Sequence, residues 1–289
     1  MKTALFLVSM ILSIGYSNSQ ISRAFHDYDD VNTNFRTNLI LSVNNQLVHC
    51  TSKQSLTDNF RLTTNVVSEL GETSNYYLND FAAGFTGAKF SLNGSAVNSN
   101  NEVIVSLQAM QTNIASKISY VRMNPFTGQV FETITLPDTY RAAYTQARQK
   151  GDSLITYASF NTNEFQRIAI NINGAFDYHM TSVGVNSAYN GNINGNLGVD
   201  LLVIGDNEFV AASDVLHKRD LNGVFTNVAL PFSSSSLSGV NLCKNDQGEI
   251  TVFSGVNFGL YGDDLSTINS GTVTGLATGN IRYVSAFFT

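Results

Sequence analysis

Short apolar runs recur along the chain, and each of them begins with a polar residue. The clearest are "EVIVSL", "DSLITY", "DLLVIG" and "EITVFS", whose first residues are Glu102, Asp152, Asp200 and Glu249. Each run holds mainly apolar or β-branched residues, as in a strand that is buried on both faces. The four polar markers are spaced by 50, 48 and 49 residues, and a weaker copy begins at Asn38. This pattern predicts one strand-containing unit that occurs five times.

A series of glycines keeps the same period. Gly128, Gly174, Gly223 and Gly271 stand in segments typical of hairpin turns, such as "DLNGVF", and are spaced by 46, 49 and 48 residues. Glycine at a fixed place in such a turn supplies the positive φ that other residues resist. Because the two series keep step, we predict a repeat of nearly fifty residues that contains about four strands.

A four-stranded repeat of this length is typical of a β-propeller blade. Segments rich in small residues, such as "FAAGFTG", precede the markers and suit crowded strands near a central axis. The sequence therefore predicts an all-β fold, a single five-bladed β-propeller over residues 20–289. The extra residues of the first repeat are expected to form an insertion around residues 68–80. The final "NIRYVSAFFT" predicts a strand that joins the first blade. A β-sandwich or a β-solenoid is the alternative architecture.

The N-terminal residues have the pattern of a secretory signal peptide. Lys2 is followed by an apolar stretch of about a dozen residues, which is short for a membrane span. Ser17 and Ser19 are small residues just before an expected cut at Gln20. We therefore expect residues 1–19 to be removed and the mature protein to be secreted. A buried N-terminal helix is the alternative, and no later apolar run is long enough to span a bilayer.

Composition and charge narrow the range of partners. Hydrophobic residues make up 43% of the chain and charged residues 13%, with a formal net charge of −6. Basic residues are scattered along the sequence, which argues against nucleic acid and anionic membranes as partners. We expect a glycan or an extracellular protein instead.

Two features depend on an oxidising or glycosylating compartment. Cys50 and Cys243 can pair as a disulfide after export, or can remain as two buried thiols. Asn93 in "NGS" is the single glycosylation sequon, and its use would depend on the host.

Several polar groups are candidates for chemistry. The acidic markers could converge in the pocket of a hydrolase, which needs two carboxylates for catalysis. Alternatively, they stabilise the turns in which they lie. The segment "FHDYDDVNTN" contains Asp27, Asp29 and Asp30, whose carboxylates could bind Ca²⁺. The EF-hand pattern is missing from it, and a solvated acidic segment is the alternative. No other cofactor is indicated.

The segments before the markers offer candidate ligand-binding residues, namely Arg141, Tyr144, Tyr189 and Asn192. Aromatic faces and amides near an axis would orient a sugar or another small polar ligand. The alternative is that these residues only pack against one another. Established catalytic motifs such as HExxH, GxSxG and the P-loop do not occur in the sequence.

The repeat resembles that of secreted β-propellers in general. It lacks the tryptophan motif of WD40 repeats, the paired glycines of kelch repeats and the Asp-box of sialidases, so the resemblance is to an architecture. We interpret the chain as an exported, non-catalytic protein that binds through its loops or its axial face. A carbohydrate-active hydrolase and a structural component of an extracellular layer are the alternatives.

Overall fold

Twenty β-strands make up the regular structure of the described residues in this computed structural model. The described ranges are 33–55, 60–67, 73–80, 89–110, 116–136, 147–159, 164–185, 199–212, 214–232 and 240–274. Nowhere within these ranges is there a helix with the length and apolarity needed to cross a membrane.

The strands form five antiparallel sheets, each built from four consecutive strands. Blade 1 contains β1 (Thr33–Val43), β2 (Gln46–Ser55), β3 (Phe60–Val67) and β4 (Thr73–Asp80), and blade 2 contains β5 (Lys89–Val97), β6 (Val103–Met110), β7 (Ser116–Met123) and β8 (Val130–Thr135). Blade 3 contains β9 (Ala147–Lys150), β10 (Ser153–Ser159), β11 (Glu164–Asn171) and β12 (Tyr178–Val185). Blade 4 contains β13 (Val199–Ile204), β14 (Asn207–Ala212), β15 (Val215–Arg219) and β16 (Phe225–Ala229), and blade 5 contains β17 (Asn241–Lys244), β18 (Ile250–Ser254), β19 (Asn257–Tyr261) and β20 (Thr267–Thr272).

The cores lie between successive blades. Strand β10 shows why: Leu154 packs in the cluster shared with blade 2, whereas the next residue, Ile155, packs in the cluster shared with blade 4. Alternation along a strand thus buries both faces of each sheet, which explains the continuous apolar runs in the sequence. Further clusters join blade 1 to blade 2 and blade 4 to blade 5. The prediction of a five-bladed β-propeller is confirmed, and the sandwich and solenoid alternatives are excluded.

The meander order of each sheet defines two faces of the ring. The first and third turns of a blade lie at the same end of its strands, and we call that end the turn face; Gly205–Asp206 in blade 4 is an example. The second turn and the outer strand's exit lie at the opposite end, which we call the connection face, because the chain leaves there for the next blade. The inner strands are β1, β5, β9, β13 and β17, and successive ones contact each other from β1 through β17.

The polar markers do not occupy equivalent positions, so this part of the predicted alignment is wrong. Glu102, Asp152 and Glu249 lie in first turns, just before the second strand of a blade, but Asp200 lies inside the inner strand β13. The turn that matches the others in blade 4 is Gly205–Asp206. The misalignment arose because the apolar residues after Asp200 belong to an inner strand, whereas those after the other markers belong to a second strand. The two kinds of strand have the same sequence pattern.

The glycine series is also only partly in register. Gly128 and Gly223 lie in third turns with φ of 70° and 83°, and Gly174 lies in the matching turn without a positive φ. Gly271 instead lies within β20, opposite Phe258. The third turn of blade 5 spans residues 262–266, and there Leu265 adopts a φ of 66° while its side chain is buried.

The predicted insertion in the first repeat is wrong where the structure describes it. Residues 73–80 form β4, which pairs with β3, and residues 68–72 lie outside the described ranges. The extra length of the first repeat goes partly into longer strands, since β1 has 11 residues and β2 has 10. The predicted closing strand at residues 280–289 also lies outside the described ranges. Blades 1 and 5 each reach four strands from their own consecutive segments.

The inner strands β5 and β9 approach each other closely at Gly94, which is not part of the small-residue segments from which crowding was predicted; most residues of those segments lie outside the described ranges. A Cβ atom added to Gly94, whose φ is 156°, would lie 2.0 Å from the carbonyl oxygen of Ala147. Only glycine lets the two inner strands approach this closely.

Candidate functional site

Polar side chains link the inner strands to one another. The carboxamide of Gln149 on β9 accepts a hydrogen bond from the N–H of Val97 on β5 (3.1 Å) and donates one to the carbonyl oxygen of the same residue (3.2 Å). The side chain thereby takes both backbone groups of Val97, as a neighbouring strand would. The inner strands of blades 2 and 3 are held together by this contact.

Asp200 makes the corresponding link among blades 3, 4 and 5. Its Oδ2 atom accepts a hydrogen bond of 2.7 Å from the N–H of Leu242 on β17. Its Oδ1 atom lies 3.6 Å from Nη2 of Arg148 on β9, and that arginine side chain is 45% exposed. All three residues lie in the halves of their strands nearer the connection face. We call Arg148, Asp200 and Leu242 the axial cluster.

The electrostatics of the axial cluster favour binding over nucleophilic chemistry. Burial raises the pKa of Asp200, and the Leu242 N–H and the Arg148 guanidinium offset only part of this effect. Cys243 is adjacent to Leu242, and burial together with the negative charge of Asp200 raises the pKa of its thiol. A raised thiol pKa keeps Cys243 protonated near neutral pH, whereas a nucleophilic cysteine requires a lowered one. The half-exposed guanidinium is therefore the group that the cluster presents outward.

A second polar cluster lies between blades 3 and 4, and sequence reasoning missed it. Glu208 on β14 is 0% exposed and accepts hydrogen bonds from Arg167 Nε (2.7 Å) and Nη2 (2.8 Å), Tyr157 OH (2.7 Å) and Lys150 Nζ (2.9 Å). Arg219 Nη1 lies 3.6 Å from Glu208 Oε1. We call these five residues the Glu208 cluster.

The surroundings of Glu208 keep it ionised. Burial alone would raise the pKa of its carboxyl group, but the hydrogen bonds from Arg167 and Tyr157 and the nearby positive charges lower it to about 2. His217, two residues before Arg219 on β15, faces the same interface with its ring 5.7 Å from that of Phe165. Burial lowers the pKa of His217 to about 4, so its imidazole is neutral at physiological pH. A neutral His217 adds no positive charge to the cluster.

Three of the acidic markers serve turns. Glu102 accepts a 2.6 Å hydrogen bond from the Asn98 side chain, and Glu249 accepts one of 2.5 Å from Asn245 at the matching place in blade 5. Asp152 accepts one of 2.6 Å from Asn173. These carboxylates therefore stabilise hairpins on the turn face, away from the half of β13 that holds Asp200.

Comparison with known proteins places the fold among solved structures. No protein-family model matches the chain, and no curated protein is significantly similar to it. Selenomethionine-substituted virginiamycin B lyase from Staphylococcus aureus is similar with a TM-score of 0.53 and 12% identity, over 86% of this chain and 72% of that one. A catalytically inactive variant of the lyase from the same organism, with quinupristin, gives a TM-score of 0.48 and 9% identity over 85% and 86% of the two chains. A protein of unknown function from Bacteroides caccae gives a TM-score of 0.41 and 14% identity, over 74% of this chain and 71% of that one. At these identities only the fold is shared.

Most of the predicted site residues lie outside the described ranges. Among them are the candidate ligand-binding residues Arg141, Tyr144, Tyr189 and Asn192 and the candidate Ca²⁺ ligands Asp27, Asp29 and Asp30. The first group belongs to the segments 137–146 and 186–198, which lead directly into β9 and β13. Those two strands carry Arg148 and Asp200. Among the residues that can be described, no group of three or more His, Cys, Asp or Glu side chains could hold a metal ion.

The predicted modification sites are in described strands. Cys50 and Cys243 are both free thiols, so the predicted disulfide is not formed. Cys50 lies on the second strand of blade 1 in the core shared with blade 2, whereas Cys243 lies on an inner strand of blade 5. Asn93 is only 6% exposed in β5, so an oligosaccharide would have to be attached before the chain folds.

Proposed function

We propose that this protein is an exported binding protein that holds a glycan, or a polar segment of an extracellular partner, at the connection-face end of its axis. The observation that carries the proposal is the axial cluster. A buried carboxylate at the junction of three inner strands forms an ion pair, at 3.6 Å, with a guanidinium whose side chain is 45% exposed.

Two contacts bias the position of the Arg148 guanidinium, namely the ion pair with Asp200 and a hydrogen bond of 3.2 Å from Nη1 to the carbonyl oxygen of Ala147. A guanidinium whose position is already restricted by such contacts loses less conformational freedom when a ligand binds than an unrestrained arginine does. Its planar face can pack on a sugar ring, and its N–H groups suit hydroxyl and carboxylate oxygens. The chain segments that hold Arg141, Tyr144, Tyr189 and Asn192 enter the strands of this cluster, and we assign those residues to the same site as further ligand contacts.

The proposal does not include a reaction. The likeness to a lyase rests on 12% identity and supports a shared fold, so its chemistry is not transferred to this chain. The carboxylates that sequence reasoning offered for hydrolysis are engaged in turns at Glu102, Asp152 and Glu249.

A glycan array with the purified mature protein tests the proposal. We expect a defined glycan class to bind, and Arg148→Ala to weaken that binding at least tenfold. Lys244→Ala is the matched control, because Lys244 is an exposed cation at the turn-face end of the inner strand β17. Binding that survives Arg148→Ala, or the absence of any ligand among glycans and extracellular matrix proteins, would overturn the proposal.

Export is tested separately by expressing the full chain in a secreting host. The expected product is a protein in the medium whose N-terminal residue is Gln20, identified by mass spectrometry. An unprocessed protein that stays inside the cells would contradict this part of the proposal.

A further inference from the structure

The Glu208 cluster replaces an apolar layer that other blades preserve. Glu208 lies opposite Arg219 in the pairing of the second and third strands of blade 4. The matching pairs are Val103 with Met123 in blade 2, Leu154 with Ile170 in blade 3 and Ile250 with Tyr261 in blade 5. All six of those residues are 0% exposed. Blade 4 therefore carries charge at a position where three other blades carry core side chains.

The stability of the fold does not explain why charged residues replace apolar ones at this position. Burying charged side chains costs free energy through desolvation, and apolar residues of similar volume are often as stabilising or more so. The three equivalent pairs show that this fold accommodates apolar side chains at the position. A departure from the repeat that brings no clear gain in stability points to a specific role for the charges.

The charges in the cluster do not balance. Lys150, Arg167 and Arg219 contribute three positive charges, and within the described ranges all three form their ion pairs with the same carboxylate, that of Glu208. Lys150 also donates to the carbonyl oxygen of Asp206 (2.6 Å), which is a neutral acceptor. The cluster is thus a local excess of positive charge in a protein whose formal net charge is −6.

Arg219 is the cation whose hydrogen-bonding capacity is unused. Its Nε atom is buried and has no hydrogen-bond partner, and its closest carboxylate oxygen, on Glu208, is 3.6 Å away. Its guanidinium lies over the Phe225 ring at 5.9 Å and packs directly against Gly223, where an added Cβ would lie only 2.9 Å from Nη2. The side chain of Arg219 is 22% exposed, so solvent reaches the group from the turn face.

His217 adds a second buried polar atom without a partner at the same interface. It is 8% exposed, it lies on the same face of β15 as Arg219, and its buried Nε2 atom has no hydrogen-bond partner. Buried polar atoms are nearly always satisfied in folded proteins, by the chain or by something bound. At the matching position blade 2 has Val121, which is fully buried in an apolar core.

We propose that Lys150, Arg167 and Arg219, arranged around Glu208, form a binding site for a small oxyanion, a carboxylate or phosphate group, between blades 3 and 4. The guanidinium of Arg219 binds the oxyanion through its N–H groups, as arginine does with carboxylates and phosphates. Lys150 adds charge from the side of blade 3. Glu208 holds Arg167 and Lys150 in position and prevents the cations from repelling one another. This site is separate from the axial cluster, and it does not depend on the function proposed above.

Thermal unfolding and calorimetric titration with inorganic phosphate and with acetate test the proposal, with sodium chloride of equal ionic strength as the reference. We expect one of the two anions to raise the Tm of the wild-type protein in a saturable way and to bind with a stoichiometry of one. The anion that does so distinguishes a phosphate site from a carboxylate site.

Two variants locate the site. Arg219→Met introduces the side chain found at the matching position of blade 2 and is expected to abolish the shift. Lys218→Met removes the neighbouring cation on the same strand, which faces blade 5 and binds Asp263 at 2.7 Å, and is expected to keep the shift. Should Arg219→Met fail to fold, Arg219→Gln serves in its place, because it removes the positive charge of Arg219 and leaves Glu208 with its hydrogen bonds to Arg167, Tyr157 and Lys150. A Tm that responds equally in both single variants, or a wild-type response no larger than that to chloride, would overturn the proposal.

Discussion

Glu208 and Asp200 are both buried carboxylates, yet their surroundings move their pKa values in opposite directions. Two hydrogen bonds from Arg167 and one from Tyr157 outweigh burial at Glu208 and lower its pKa to about 2. At Asp200 burial dominates and raises the pKa, because its one close hydrogen bond between strands comes from a backbone N–H and its arginine lies farther away. The two residues therefore affect stability differently as the pH changes.

Replacing Glu208 by Gln should destabilise the protein by about 3 kcal/mol at pH 7, since it leaves buried cations without a counter-charge. A lowered carboxyl pKa stabilises the fold above the pKa of the unfolded chain, and this contribution is lost as the pH falls towards about 2. The difference between variant and wild type should therefore shrink in acid. Urea unfolding at pH 7 and pH 3 measures it. Glu249→Gln, which alters a carboxylate in a turn, should cost less than about 1 kcal/mol and is the control.

Replacing Asp200 by Asn should change how stability depends on pH. A carboxyl group with a raised pKa favours the folded state at low pH and loses that contribution as the pH rises through the folded pKa. The asparagine side chain does not ionise and still offers an oxygen to the Leu242 N–H, so the variant should gain stability relative to wild type between acid and neutral pH. Free energies of unfolding across that range test this, and parallel pH profiles would contradict it.

The sequence revealed the recurring strands and turns but could not place them in register. A polar residue before an apolar run marks a turn at Asp152 and an inner strand at Asp200, and the local pattern is the same in both cases. Aligning Asp200 with Glu249 puts Glu208 in the wrong register of the repeat. In that register its charge does not stand out as an exception to the apolar pattern. In the correct register Glu208 is aligned with Leu154 and Ile250, and a charged residue at an otherwise apolar repeat position would have drawn attention to it. Its partners on blade 3 still depend on how the two sheets pack.

Replacing Gly94 by Ala should force β5 and β9 apart, because the new methyl group would lie 2.0 Å from a backbone oxygen. Backbone atoms have few ways to move, so we expect a loss of about 3 kcal/mol or more. Gly151→Ala is the matched control: it changes a positive-φ turn glycine that has nothing within 4 Å of the added carbon. That variant should lose only about 1 kcal/mol, from backbone strain alone. Thermal and urea unfolding compare the two, and equal losses would contradict the steric argument.

The whole molecule is a row of sheets joined by four described cores, and each core lies between blades that are neighbours in the chain. This order explains why so much of the architecture was predictable: a blade needs only its own four strands and the two adjoining faces. The axial cluster was harder to foresee, because Arg148, Asp200 and Leu242 come from three different repeats. Their proximity depends on the curvature of the ring, which no local pattern records.

Hydrogen exchange should follow the position of a strand within its blade. Strand β14 has five buried residues and pairs on both sides, whereas every residue of the outer strand β20 is exposed. Exchange requires local opening, which is rarest where packing and pairing surround the amide. We expect the amides of β10, β14 and β18 to exchange slowest and those of β20 fastest, as measured by mass spectrometry on peptides. Uniform protection across a blade would contradict this.

Each sheet is completed by consecutive strands, with none borrowed from a distant part of the chain in the residues described. A tandem duplication of about fifty codons would therefore insert an entire blade without rethreading the others, as in repeat proteins whose units contact only their neighbours. Besides the axial cluster, the junction between blades 3 and 4 departs from such modularity. Glu208 of blade 4 forms ion pairs with Lys150 and Arg167 of blade 3. A copied or shuffled blade placed there would leave Glu208 or these cations without an ion-pair partner.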